Sequence, residues 1–190
     1  MSTVMNQIES PRLRFEILSP DQASEVLAFY RENRAHLEPW EPSREFGFYT
    51  EDYHRLLLEG HRKELLKGIG LRFWLRLKTD GRLAGALNLT QIVRGPFQSG
   101  VIGYKTHGAY TGQGLMTEAV GRLIQLAFGE LGLHRLEAGL MPVNEASRRV
   151  LVHNGFRQEG YSPGYLKING RWEDHERYAL LREWVFGEDD

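Results

Sequence analysis

Two glycines, Gly112 and Gly114, lie between a strand-like run, residues 100–106, and a helical run, residues 115–131. They remove side chains where the helix would begin, so successive backbone N–H groups can be directed at an anion. The helix N-terminus adds a favourable field for negative charge. The arrangement predicts a pyrophosphate site. The simpler interpretation is an ordinary strand-to-helix turn, which is what a lone Gly-x-Gly usually marks.

Two other phosphate motifs do not fit this segment. A dinucleotide fingerprint has three glycines and an acidic residue about 20 positions further on. A P-loop continues with Gly-Lys-Ser/Thr, whose lysine reaches the terminal phosphate and whose hydroxyl binds magnesium. The segment matches neither pattern, so it indicates phosphate binding without hydride transfer and without a metal.

The segment resembles the coenzyme A motif of the GNAT superfamily of N-acetyltransferases, which is Gln/Arg-x-x-Gly-x-Gly/Ala. Here it reads Thr111-Gly-Gln-Gly-Leu-Met116, with Thr111 in place of Gln or Arg and Met116 in place of the small residue. The central Gly114 is kept. Residues 141–147 and 151–156 are similar to the second coenzyme A element of the family.

A closer resemblance, to ribosomal-protein-alanine N-acetyltransferases of the RimJ/RimL type, covers essentially the whole chain. It rests on residues 33–42, 93–97, 114–116, 159–161 and 169–175. It implies an α/β (α+β) protein with the GNAT fold, a mixed, mostly antiparallel central sheet of about seven strands with a splayed parallel pair, flanked by about four helices. It also implies an acetyl-CoA-dependent N-acetyltransferase that modifies an α-amine, the N-terminal alanine of a ribosomal protein, without a covalent enzyme intermediate.

The resemblance places acetyl-CoA, the co-substrate, where two parallel strands at residues 100–106 and 135–140 separate. The backbone of Tyr104, Lys105 and Thr106 would pair with the pantetheine amides like an added strand. The pyrophosphate would be held by the glycine turn and the first turn of the helix, which comprise Gly112, Gln113, Gly114, Leu115, Met116 and Thr117. Three residues further along could meet the ribose phosphate or form a solvated basic face, namely Arg148, Arg149 and His153.

Asn144 and Ser147 lie at the start of another predicted helix and are the predicted catalytic residues of that segment. Asn144 can cap the helix, contact pantetheine or a water, or do both with its several bonding groups. Ser147 either bonds its own backbone or donates a proton to the leaving thiolate. Many members of the wider family use a tyrosine on this helix for that proton, but Leu151 occupies its position here. RimL-type enzymes resemble this chain in having serine at position 147.

The third predicted catalytic residue is Glu137, a candidate general base. It lies in a strand that should be covered on both faces, where a carboxylate is costly unless it is paired or functional. The alternative is an ion pair with a neighbour such as Arg135. The wider family often has a glutamate on the strand before the glycine turn, but residues 101–106 contain no acid. Glu159, His175 and relayed water are further candidates.

Trp40 and Glu41 are the predicted acceptor-binding residues. They belong to the loop Leu37-Glu-Pro-Trp-Glu-Pro42, which combines acids, an aromatic ring and stiff prolines. A positively charged peptide N-terminus would favour such groups. The alternative is a loop that merely covers the edge of the core.

Composition limits the remaining function classes. The chain has 190 residues, which predicts a single acetyltransferase domain, residues 1–190. A net charge of −1 predicts no general attraction to nucleic acid or to an anionic membrane. The absence of cysteine excludes disulfides, thiolate metal sites and a cysteine nucleophile. The N-terminal residues 1–9 lack a signal pattern, so we expect a cytoplasmic protein. We also expect a monomer or homodimer, and a site that needs no metal.

Hydrophobic periodicity predicts the elements that position these residues. Strands are predicted at residues 12–18, 71–78, 83–93, 99–106, 135–140, 156–168 and 172–181. Helices are predicted at about residues 21–34, 51–66, 115–131 and 145–153, and an irregular loop at 37–48. The strand–helix–strand order in the middle implies a parallel pair with a right-handed crossover.

Two alternatives to the leading hypothesis stay open. One is an acetyltransferase whose acceptor is a small amine. The other is a catalytically inactive acyl-CoA-binding module, which the absent helix tyrosine and the absent strand carboxylate would explain.

Overall fold

The structure of the protein is a computed structural model that describes residues 8–187. Residues 1–7, on which most of the signal-peptide expectation rests, lie outside the described residues, as do residues 188–190. Within the described range, eight strands form one sheet in the order β1-β2-β3-β4-β5-β6-β8-β7. The strands are β1 (Ile8–Glu9), β2 (Leu13–Glu16), β3 (Leu71–Leu77), β4 (Leu83–Val93), β5 (Ser99–Thr106), β6 (Arg135–Leu140), β7 (Arg157–Ile168) and β8 (Arg171–Leu181).

Six α-helices accompany this sheet in the described part of the chain. They are α1 (Ala23–Glu32), α2 (Arg34–Leu37), α3 (Glu51–Leu66), α4 (Leu115–Gln125), α5 (Glu145–His153) and α6 (Arg182–Phe186). The expected mixed sheet with flanking helices is confirmed. The strand beyond the expected seven is β1, and the two helices beyond the expected four are the short α2 and α6.

Two predicted segments differ from the structure by more than two residues at an end. The helix expected to reach residue 131 keeps α-helical geometry only to Gln125, and a wider π-helical turn follows at Leu126–Glu130. The loop expected at residues 37–48 begins with the last residue of α2 and a 3₁₀ turn at Glu38–Trp40. Both segments follow backbone bonding patterns that side-chain periodicity does not encode.

The parallel pair is β5–β6, and it separates after three paired positions. Pairing runs from Ser99↔Arg135 to Val101↔Glu137 and then stops. Beyond that point, β5 stays bonded to β4 as far as Gly85↔Thr106, and β6 stays bonded to β8 as far as Leu140↔Glu176. Each strand is therefore held by its antiparallel neighbour while a gap opens between the carboxyl ends of the two strands, as expected. We call this gap the β5–β6 opening.

Apolar side chains on the two faces of the sheet form two core clusters, so the fold has three layers. The larger cluster lies under α4 and α5 and includes Phe73, Leu87, Leu123, Leu136 and Leu151. The smaller cluster lies under α1 and α3 on the opposite face and includes Phe29, Tyr30, Leu58 and Trp74. The β5–β6 opening is therefore bordered by α5 on one face and by the layer of α1 and α3 on the other.

Candidate active site

The predicted glycine turn has the backbone geometry that only glycine adopts readily. The φ angles of Gly112 and Gly114 are +74° and +73°, and Gly114 is the N-cap residue of α4. An added Cβ at Gly112 would meet nothing within 4 Å, so backbone conformation rather than space requires glycine there. The turn leaves the N-terminus of α4 open, which is the arrangement that binds phosphate groups.

Of the four remaining predicted pyrophosphate residues, Thr117 lines a cavity between α4 and α5, and the other three fall into two groups. Leu115 and Met116 are buried, and their side chains pack into the larger core cluster. Only their backbone N–H groups are suited to bind an anion. Gln113 is exposed, and its side-chain amide donates to the carbonyl of Ala109 at 3.1 Å.

Arg12 braces this turn from the region just before β2, a contact that sequence reasoning missed. Its guanidinium donates to the Gln113 carbonyl at 2.9 Å and to Glu118 of α4 at 2.6 Å. Ser10 donates to the same carboxylate at 2.6 Å. Burial raises the pKa of Glu118, but the bonds from Ser10 and Arg12 outweigh it and leave that pKa lowered. Arg12 thus brings a positive charge to the turn from 101 residues away.

A cavity of about 570 Å³ lies beside this turn, between α4 and α5. It is lined by Gly114, Thr117, Glu118, Arg149, His153 and Asn154. Two of the three basic residues considered for the ribose phosphate thus line it. Arg148 does not, because its guanidinium binds Glu176 of β8 at 3.0 Å.

The second cavity, about 530 Å³ in volume, is lined by residues such as Gln98 and His134, next to the amino ends of β5 and β6. It therefore lies at the other end of these strands from the β5–β6 opening.

At the β5–β6 opening, the Tyr104 side chain reaches α5. Its hydroxyl lies 2.8 Å from Ser147 Oγ and 3.0 Å from the Ser147 carbonyl oxygen. Burial raises the pKa of the Tyr104 phenol, which keeps it protonated and able to donate. When Tyr104 donates to Ser147 Oγ, the serine proton is free for a third group. Sequence reasoning assigned Tyr104 through its backbone only.

Asn144 caps α5, as one of its two interpretations predicted. Its Oδ1 accepts a hydrogen bond from the Ser147 amide at 3.1 Å. This bond fixes the first turn of α5 and with it the position of the serine hydroxyl. Leu151, at the position of the family tyrosine, is buried in the larger core cluster. A direct contact between Asn144 and the cofactor stays a prediction.

The backbone of Tyr104, Lys105 and Thr106 has one free edge. These residues pair with Leu87, Ala86 and Gly85 of β4, and β6 has already separated from them on the other side. Backbone groups of an antiparallel strand alternate between its two edges, so some point into the opening. The geometry is the one that an added extended chain needs.

Lys105 and the predicted acceptor loop are bonded to each other. The Lys105 ammonium donates to the Tyr30 hydroxyl at 2.8 Å and to the Glu41 carboxylate, which also pairs with Arg44. The Glu41 carbonyl accepts from Asn169 in the β7–β8 turn at 3.0 Å. The structure therefore brings Glu41 to β5, with its carboxylate already paired by two cations, while Trp40 stays partly exposed.

Glu137 forms the ion pair that was considered as its alternative role. Its two oxygens accept from Arg135 Nε at 3.0 Å and from Arg177 Nη2 at 3.1 Å. Glu159 also pairs with Arg135, at 2.5 Å. Both carboxylates are therefore committed to guanidinium groups, and a base role for Glu137 stays a prediction that these contacts do not favour.

Residues 8–187 contain neither a cluster of metal ligands nor a membrane-spanning helix. No group of three or more His, Asp or Glu side chains in that range could hold a metal ion. None of the described helices is long and apolar enough to cross a membrane.

An open parallel pair beside a glycine turn at a helix N-terminus suits a coenzyme A-dependent transferase, and comparison with known proteins gives the family. The Acetyltransferase (GNAT) domain family matches residues 12–157. The probable N-acetyltransferase YjcK of Bacillus subtilis is 41% identical over 86% of this chain and 91% of its own. The [Ribosomal protein uS5]-alanine N-acetyltransferase of Escherichia coli is 32% identical over 95% of this chain and 94% of its own.

A solved structure agrees with these matches. Mycobacterium smegmatis RimJ in complex with CoA-disulfide superposes with a TM-score of 0.84 at 31% identity, over 93% of this chain and 88% of the other. The chain belongs to the GNAT family and is an acetyltransferase of the RimJ type. The resemblance inferred from the sequence is thereby confirmed.

Proposed function

We propose that this protein transfers acetyl from acetyl-CoA to an α-amine, the N-terminal alanine of a ribosomal protein, and that residues 1–190 form one acetyltransferase domain. The named activity of the E. coli relative and the CoA-disulfide bound to the M. smegmatis relative support the acceptor and the cofactor. The name of YjcK specifies no acceptor, so the acceptor rests on the uS5 enzyme.

The observation that carries the proposal is the combination of the glycine turn with the open edge of β5. The left-handed Gly112 and Gly114 expose the N-terminus of α4 for a pyrophosphate. The free edge of residues 104–106 suits the pantetheine amides. The cavity between α4 and α5, with Arg149 and His153 on its wall, suits the nucleotide phosphates. Together these features support acetyl-CoA as the co-substrate.

Bound acetyl-CoA supplies the thioester that the amine attacks directly. The chain has no cysteine and needs none, because no acyl-enzyme is required. Ser147 donates a proton to the departing sulfur, and Asn144 holds the serine in the first turn of α5. The Tyr104 hydroxyl lies 2.8 Å from Ser147 Oγ, and its donation to Oγ rather than to the Ser147 carbonyl leaves the serine proton available.

On the acceptor side, Trp40 provides an exposed aromatic surface for the residue that follows the amine. Glu41 holds the loop of residues 37–42, which we call the Pro-Trp loop, against β5 through Lys105. Since Lys105 and Arg44 already pair with this carboxylate, its role is to orient the loop rather than to neutralise a cationic amine. Binding of the acceptor then depends on shape and on backbone contacts more than on charge.

A single-turnover assay of thiol release tests the proposal and its alternatives. Acetyl-CoA is mixed with the enzyme and either an alanine-initiated peptide of the uS5 N-terminus, the same peptide already acetylated, or spermidine. Release that requires the free alanine peptide supports the proposal. Release with spermidine alone indicates a small-amine enzyme, and binding of acetyl-CoA without release in any mixture indicates an inactive binding module.

A further inference from the structure

His175 of β8 lies at the β5–β6 opening. A Cβ built on Gly139 of β6 would lie 3.7 Å from His175 Cδ2 and 3.7 Å from Arg177 Nη1. Gly139 is two residues past Glu137, the last position where β6 pairs with β5. The imidazole edge therefore borders the part of β6 that faces the gap, at a position where β6 carries no side chain.

The imidazole is on the opposite face of the sheet from Ser147. Successive side chains of a strand alternate between faces. Glu176 bonds Arg148 of α5 and Tyr178 packs in the core under that helix, so the even-numbered residues of this stretch face α5. His175 and Arg177 face the other side. The opening is thus flanked by a hydroxyl pair on one face and by an imidazole on the other.

The bonding of His175 fixes which ring nitrogen can accept a proton. Nδ1 lies 3.1 Å from the Glu173 carbonyl oxygen. A carbonyl only accepts, so Nδ1 carries the proton and the lone pair of the neutral ring is on Nε2. The residue is 4% exposed, yet among the described residues Nε2 has no hydrogen-bond partner and is not sealed from solvent, unlike the ring nitrogens of His54.

His175 shares its face of β8 with Glu173, and three other carboxylates near this face are paired with cations. Within residues 8–187, the carboxylates of Glu137 and Glu159 pair with arginines, and that of Glu41 pairs with Lys105 and Arg44. The groups near the imidazole are Tyr165 of β7, with ring centroids 5.4 Å apart, and Asp174 and Arg177 of β8.

Asp174 accepts from Tyr161 at 2.5 Å and from the Gly164 amide at 2.7 Å. Arg177 and Lys105, the cations of this face, are each paired with a carboxylate, Glu137 and Glu41 respectively.

We propose that His175 is the general base that takes a proton from the acceptor amine, an inference that rests on the proposed function. The proton moves from the ammonium nitrogen to Nε2, which becomes part of an imidazolium. The freed lone pair of the amine forms the new N–C bond as the thioester C–S bond breaks, and the thiolate takes a proton from Ser147. The second proton that the nitrogen loses passes through solvent to restore the serine, and the imidazolium returns its own proton to solvent after turnover. Base and acid thus act from opposite faces of the sheet.

The first test is His175→Asn, whose side-chain amide keeps a donor for the Glu173 carbonyl but has no basic nitrogen. About a tenth of an α-amine is neutral at pH 7, since its pKa is about 8. At pH 7, kcat/KM for the alanine peptide should therefore fall by about tenfold or more. At pH 9 the amine is neutral without help, and the deficit should shrink to about twofold or less. An equal deficit at both pH values would overturn the proposal.

Two further variants keep the test decisive. His134→Asn removes a half-exposed histidine that contacts Glu183, and its rate should match that of the wild type at both pH values. His175→Gln replaces His175→Asn if the latter does not fold, as judged by thermal unfolding and by acetyl-CoA affinity. If the wild type acetylates spermidine and not the peptide, the proposed acceptor is wrong. His175→Asn should then slow spermidine acetylation at both pH values, because an alkyl ammonium with a pKa of about 10.4 stays protonated at both, and an unchanged rate would overturn the role of His175.

A readout independent of turnover is the ¹⁵N spectrum of the imidazoles. With coenzyme A present, addition of the alanine peptide should shift the Nε2 signal of His175, because the amine contacts that atom. The N-acetylated peptide has no amine proton to give and should leave the signal in place. If the free peptide does not shift the Nε2 signal, the proposal is contradicted, even if His175→Asn is slow.

Discussion

The hydroxyl of Tyr104 lies 2.8 Å from Oγ of Ser147, and this contact joins β5 to α5 across the β5–β6 opening. The two residues are 43 positions apart in the chain. The contact supplies a buried phenol next to the serine in a protein whose α5 has leucine where the wider family often has tyrosine. The phenol acts through Ser147, so Tyr104 is a positioning residue in the proposed mechanism.

Removing the phenol should slow the chemical step while leaving the cofactor site intact. In Tyr104→Phe, Ser147 loses the donor that keeps its proton available, and kcat should fall by about tenfold. Stability should fall by about 1 kcal/mol, the typical value of one hydrogen bond. Tyr161→Phe is the matched control, since it removes a phenol bonded to Asp174 at the surface. Equal kcat values for both variants would contradict the assignment.

Ser147→Ala should have the larger effect on rate. If the serine protonates the departing thiolate, its loss removes an interaction made mainly in the transition state, and kcat should fall by about 10²-fold or more. The Kd of acetyl-CoA should change little, and α5 should persist because its cap at Asn144 is retained. Adding Tyr104→Phe should then slow the enzyme no further, because Tyr104 acts through the serine. A full additional loss would mean that Tyr104 acts independently.

Gly114→Val should abolish binding of acetyl-CoA. Valine strongly disfavours a φ of +73°, and its side chain would block the approach of a pyrophosphate to the backbone. Gly81→Val is the matched control, because Gly81 has a φ of +75° in the β3–β4 turn and nothing within 4 Å of its Cβ. Both variants should lose similar stability in urea unfolding. In calorimetry, only Gly114→Val should lose affinity for acetyl-CoA. If Gly114→Val retained that affinity, Gly114 would be needed for the turn and not for cofactor binding.

Trp40→Ala should raise the KM of the peptide by about five- to tenfold, which corresponds to roughly 1 kcal/mol of lost contact. The affinity for acetyl-CoA should stay the same, because the Pro-Trp loop is bonded to the acceptor side of β5. Trp184→Ala is the control, since both tryptophans are 39% exposed and Trp184 lies on α6 against Arg157. A parallel loss of both affinities in Trp40→Ala would indicate that the loop only supports packing.

Local sequence patterns were sufficient to predict the boundaries of those helices and strands that have strong periodicity and clear end signals. The helix at Glu51–Leu66 and the strand at Leu83–Val93 have the predicted boundaries, because an N-cap threonine and an Asp-Gly turn mark where they begin. The two-residue β1 could not be predicted, since it exists only by pairing with β2. The glycine turn could likewise be predicted from the sequence, because glycine is the residue that adopts positive φ angles readily.

Contacts between distant segments could not be read in this way. Arg12 reaches the glycine turn and Tyr104 reaches Ser147 only because the sheet order brings their strands beside α4 and α5. The alternation that turns His175 away from α5 depends on the register of β8 against β6. Sequence spacing identified the helix start and the cofactor motif, whereas the partners of each polar group came from tertiary packing.

Stability should depend on pH through His54 of α3. This histidine is stacked on Tyr30 with both ring nitrogens lacking a partner. Burial, followed by the positive charge of Arg44, lowers its pKa from 6.5 to about 4. Burial likewise lowers the pKa of His61, on the same helix, to about 4. Both rings are neutral in the folded protein at pH 7 and are protonated more readily when the chain unfolds.

The sign of the effect follows from these values. As the pH falls below 6.5, the unfolded chain takes up a proton at His54 before the folded protein does. The stability that is present above pH 6.5 is therefore lost progressively down to about pH 4. At pH 5, the loss of unfolding free energy that comes from His54 is about 2 kcal/mol. His54→Phe keeps a ring against Tyr30 and removes the titration, so its urea unfolding free energy should fall less between pH 7 and pH 5. His134→Asn should lose as much as the wild type, and an equal loss in His54→Phe would show that His54 is not buried as a neutral ring.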